Sequence, residues 1–109
     1  MTRTLKYASL KYHQARDHLQ QSGTIHERLV KAISVAAQVR PRELPDTFQS
    51  EVSVLIKVVG SETWRMAQAG EHIETRVRTM NLVQCQMCSR TLLRLGDHID
   101  QECSKELVD

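Results

Sequence analysis

Apolar residues recur at helical spacing through the first part of the chain. Leu5, Ala8, Tyr12, Ala15 and Leu19 are spaced 3-4-3-4 and share one face of a helix predicted over about residues 4–21. Ser22-Gly23 breaks it. Thr24 followed by Glu27 has the form of a capping box, opening a second helix that should run to about Val39. Leu29, Ile33 and Ala36 form its stripe, flanked by Val30 and Ala37. Pro41 and Pro45 then hold a short, stiff connection. Asp46 is placed to cap a third helix, with Gln49 at its N3 position and Phe48, Val52, Leu55 and Val59 as the buried stripe. The β-branched run Val52 to Val59 has strand character, but the cap, the length and Gly60 at its end favour a helix. Residues 61–70 are the least regular. Trp64 there reads as packing over the seam between bundle and tail, with a binding hot spot as the sharper alternative. Residues 71–83 suit a fourth helix with Ile73, Val77 and Met80 on one face.

The pattern predicts a mainly α protein. A small antiparallel helical bundle should occupy residues 1–60, a connecting segment and helix residues 61–84, and a separate module residues 85–109. Only 4 glycines and 2 prolines punctuate the 109 residues, which fits helices better than a turn-rich sheet. Aromatics make up 4%, so the core must be aliphatic.

Charge refines this picture. The net value is only +2, but residues 1–42 hold eight Lys and Arg against Asp17 and Glu27. The rest holds seven basic against eleven acidic residues. A basic front and an acidic back suggest a charged partner, or simply two solvated faces. No apolar run approaches the roughly 18 residues of a membrane span, and the start does not read as a signal peptide. The expected setting is the cytoplasm, where thiols serve as metal ligands more often than as disulfides.

All 3 cysteines fall near the C-terminal end, as Cys85, Cys88 and Cys103, with His98 between them. The spacing C-x2-C-x9-H-x4-C supplies four donors of the kind a tetrahedral zinc takes. Leu92 and Leu95, between the pairs, are suited to be the apolar plug of such a module. Two other readings compete. The C-x-x-C pair can be a redox site, but the βαβ context of one is missing. The cysteines can also be ordinary buried thiols. Four donors favour a closed, structural Zn2+ over a catalytic one, which keeps a position open. His13, His18, His26 and His72 are dispersed and lack spaced partners, and no metalloprotease or deaminase pattern occurs. The sequence therefore gives no catalytic residue, and a non-enzyme is expected.

On Cys85, Cys88, His98 and Cys103, with Leu92 and Leu95 as loop hydrophobes, the tail resembles the Ros-type prokaryotic zinc finger. The resemblance covers about twenty residues. It implies a β-turn knuckle, a short hairpin and a helix from about Leu95 to Leu107, so that the module would be a short ββα-like finger holding zinc. The fourth ligand is Cys103 where the family usually has histidine. Fingers of this type bind DNA through basic helices, whereas this one carries Asp97, Asp100 and Glu102, which repel phosphates.

The expected function is that of a zinc-stabilised adaptor or regulator that binds another protein. Size and resemblance suggest a phage or bacterial accessory factor that modulates a host complex. Its contact surface would be Asp97, Asp100 and Gln101. The alternative is a nucleic-acid-binding regulator using Arg3, Lys6, Lys11, Arg16, Arg28, Lys31, Arg40 and Arg42, with Arg90 and Arg94 from the finger. A homodimer would complete a small bundle with exposed aliphatics such as Val54 and Val58.

Overall fold

The computed structural model describes the backbone of residues 2–108 and the side chains of residues 5–105. Six α-helices appear among them: α1 (Thr2–Gln20), α2 (Ile25–Ala36), α3 (Gln49–Val59), α4 (Ser61–Gln68), α5 (Glu74–Arg78) and α6 (Leu82–Val108). Two 3-10 turns, Pro41–Glu43 and Asp46–Phe48, link α2 to α3. The mainly helical expectation holds. No helix in the described residues is long and apolar enough to cross a membrane.

The first stripe folds as read. Leu5, Ala8, Tyr12, Ala15 and Leu19 are all buried. Thr24 caps α2 by accepting a hydrogen bond from the Glu27 backbone N–H at 3.1 Å. The helix ends at Ala36, earlier than Val39, which is buried in the turn that follows.

Asp46 does not cap α3. It opens a 3-10 turn instead, and α3 starts at Gln49. The Gln49 side-chain amide turns back and donates to the carbonyls of Pro41 at 2.7 Å and Leu44 at 3.2 Å. Carbonyls of the proline-containing loop thereby gain donors. At the far end Gly60 adopts φ +104° and lets α4 start immediately after α3. The irregular stretch of the sequence is thus α4, with Trp64 only 3% exposed. That burial removes Trp64 as a surface hot spot.

The fourth predicted helix is shortened to α5. Asn81 then caps a new helix by accepting from the Gln84 N–H at 2.8 Å. This helix, α6, runs for 27 residues. At 1.5 Å per residue it is about 40 Å long, nearly the 44 Å long axis of the molecule.

The ββα-like finger is not there. Residues 82–108 form one helix, and no strand occurs among the described residues. The cause is legible in the apolar pattern. Cys85, Cys88, Leu92, Leu95, Ile99 and Cys103 are spaced 3-4-3-4-4, and all are buried. They continue the helical period of the front helices, and no proline interrupts them. Leu92 and Leu95 therefore plug the bundle itself. Residues 85–105 share one core cluster with residues from α1 to α5.

In the assembled molecule α1 packs on α2 and α6, and α6 packs on α3. Helices α4 and α5 pack against α2, and α4 also against α3. Ser9 pairs with Asp100 and Arg16 with Asp97, so α1 and α6 run antiparallel.

Candidate functional site

Four residues define the expected metal site, and α6 keeps them apart. Cys85 and Cys103 are eighteen positions apart on one helix, about 27 Å along its axis. Cys88 and His98 are about 15 Å apart by the same measure. Ligands of one zinc lie within about 2.3 Å of the ion. No single ion can reach all four in this helix. His98 and Cys103 also differ by about 140° around the axis. Among the described residues no three His, Cys, Asp or Glu side chains gather to hold a metal. The donor set does not fit zinc in this fold.

Each of the four has another job here. Cys85, Cys88 and Cys103 are free thiols at core positions, exposed by 0%, 0% and 9%. Burial pushes the Cys85 thiol above its usual value. Burial, with the neighbouring Cys85 adding to it, pushes Cys88 up to about 12. A thiol held protonated is a poor nucleophile and a poor redox centre. His98 leaves the inner face and turns to α3, where its Nδ1 lies 2.7 Å from Glu51 Oε1. The pair sits in a groove of about 250 Å³ lined also by Thr47, Phe48, Gln101 and Glu102.

The three residues expected to meet a partner are divided. Asp100 is half-buried and already occupied: Ser9 Oγ donates to it at 2.7 Å, His13 Nε2 stands at 2.8 Å and Arg16 at 3.5 Å. Asp97 binds Arg16 at 2.9 Å. Only Gln101 faces outward with no such bond. The acidic back and the basic front thus meet inside the molecule, along the α1–α6 seam.

The basic front is also partly spent. Besides Arg16, Arg28 donates to the carbonyls of Leu19 at 2.8 Å and Thr24 at 3.4 Å. Lys11 lies over the Tyr7 ring, 5.6 Å from its centre. The Arg3 side chain lies outside the described ones.

A different surface emerges on the outer side of α6. Leu82 and Val83 are each 65% exposed and Met87 is 48% exposed. Val83, Met87, Arg90 and Arg94 are spaced 4-3-4, so they form one line along the helix, opposite the buried stripe. All four are exposed. The Glu51–His98 contact, with Thr47 and Phe48 sharing a groove with Gln101 and Glu102, shows that α3 runs antiparallel to α6. Val54 on α3 is 51% exposed. The signal for the line was present in the sequence, but reading Cys85 onward as a finger hid the helix that creates it.

Compared with known protein families, curated proteins and solved structures, the chain matches none. The Ros-type resemblance therefore rests on the ligand spacing and the two leucines, Leu92 and Leu95, alone.

Proposed function

We propose that this chain is a helical interaction module that works by binding another protein, as an adaptor or regulator and not as a catalyst. The observation that supports it is the apolar start of α6. Leu82, Val83 and Met87 stand in water on a helix whose opposite face already closes the core. Scattered exposed apolar residues are ordinary, but three on adjoining turns of one helix form a patch. Such a patch gains free energy when a partner covers it, and large flexible side chains such as methionine adapt to that role.

This reading keeps Gln101, which lies on the same line of α6, and puts Val83 and Met87 in place of Asp97 and Asp100, which are tied to Arg16 of α1. It asks nothing of a bound zinc. The test compares proteins captured by the wild-type chain and by a Val83→Asp/Met87→Asp variant of equal melting temperature, with nuclease present. Selective loss of a defined partner supports the reading. An identical set of captured proteins would remove this surface, and with it the proposal.

A further inference from the structure

The residues around the apolar start of α6 also say what kind of protein fits there. Residues 75–96 contain Arg76, Arg78, Arg90 and Arg94 and not one Asp or Glu. Two of these arginines are engaged at home. Arg76 donates to Thr63 Oγ1 at 3.0 Å, and Arg78 pairs with Glu74 at 3.0 Å. Arg90 and Arg94 are different. They are exposed and make no ion pair with any described residue. They continue the Val83–Met87 line by one and two turns.

We infer that the Val83–Met87–Arg90–Arg94 line of α6 docks an acidic amphipathic helix of another protein. The inference rests on the protein-binding reading above. Apolar anchors of the partner cover Val83 and Met87, and its carboxylates meet the two guanidinium groups. Arginine is suited to this, since its planar fork binds a carboxylate through two parallel hydrogen bonds. A second copy of this chain is a poorer occupant. The next carboxylate on this line is Asp97, one turn past Arg94, and Arg16 already holds it at 2.9 Å, so two α6 helices packed through the line bring arginines together with no unpaired carboxylate of the line to meet them. A nucleic acid would satisfy the arginines but leave Val83 and Met87 against phosphate and sugar, with no apolar surface gained.

The experiment places a photo-reactive amino acid at Met87 in the full chain, in the cells that produce it. Asp17, exposed on α1, serves as the control position. The expected product is a cross-link to a protein segment with net negative charge and apolar residues at helical spacing. Arg90→Glu/Arg94→Glu should lower its yield about tenfold, the effect of removing roughly 1.4 kcal/mol of rim electrostatics. Arg90→Lys/Arg94→Lys should retain most of it. Circular dichroism must show both variants folded, because exposed positions are the ones changed. A cross-link to a neutral or basic segment overturns this inference while the protein-binding reading stands. A cross-link to a second copy of the chain overturns it in favour of self-association. Cross-linking to nucleic acid only, or no more than at Asp17, ends both.

Discussion

His98 and Glu51 meet at 2.7 Å across 47 positions of sequence, joining α6 to α3. The imidazole thus serves as a tie between two helices. Its side chain is 44% exposed and that of Glu51 28%, so water screens the pair. His98→Ala should therefore cost no more than about 1 kcal/mol, and α6 should remain helical. A chemical denaturation curve checks this. Loss of most C-terminal helicity would restore His98 as a structural ligand.

Metal removal gives a second test. Chelation during purification should leave far-ultraviolet circular dichroism and melting temperature unchanged, since α6 needs no ion to form. Cys88→Ala should cost about 1–2 kcal/mol as a small core deletion, and Cys88→Ser at least as much, because a hydroxyl costs more to bury than a thiol. A zinc finger would answer otherwise: both substitutions would release metal and melt the tail alike. One zinc per chain, lost together with helicity, would refute the helical assignment of these residues.

Alkaline pH should weaken the fold. In the unfolded chain a cysteine ionises from its ordinary value near 9, whereas Cys88 in the folded chain holds its proton to about 12. Between those values the unfolded state binds fewer protons, so stability falls as pH rises. The slope is up to about 1.4 kcal/mol per pH unit for this thiol. Burial raises Tyr12 as well, which adds a similar loss above its usual value. Denaturant midpoints measured above pH 9 should decline. At pH 8 a thiol reagent should react slowly with the folded chain and fast with the unfolded one. Three thiols reacting rapidly in the native protein would contradict their burial.

Gly96 offers a test of the α1–α6 contact. A Cβ added there would lie 3.4 Å from Tyr12 Cβ, at the edge of ordinary contact. Gly96→Ala should be neutral or stabilise by up to about 1 kcal/mol, since alanine is the better helix former. Gly96→Leu has no room against Tyr12 and should cost about 1–3 kcal/mol. Thermal melts of the two variants should therefore shift in opposite directions, or only the leucine variant should shift.

The front of the fold was legible because periodicity and punctuation agree there. Leu5 to Leu19 and Leu29 to Ala36 give clean stripes, and Ser22-Gly23 and the prolines mark the ends. The tail misled because the same letters serve two grammars. Cys85, Cys88 and Cys103 sit at zinc-finger spacing and at helical spacing at once. Together with Leu92, Leu95 and Ile99 they extend a 3-4 stripe, and the gain from burying that stripe favours the helix. Asp97 and Asp100 were readable as acids but not as partners of Arg16, because that pairing depends on how α1 crosses α6. Residues 61–70 lacked an obvious stripe since α4 is short, and one buried tryptophan with Thr63 and Ala67 suffices to anchor it.

The length of α6 has a consequence for the order in which the molecule can assemble. Tyr12 is made well before Gly96, the neighbour it packs against. The ribosome makes α1 to α5 while the face they share has nothing to close it. Leu95, Ile99 and Cys103 follow α1 to α5 in the chain and complete the core they share. Nascent α1–α5 should therefore remain loosely packed and sensitive to protease until α6 has emerged. A chain stalled within α6 would be unable to mature, however well its first helices form.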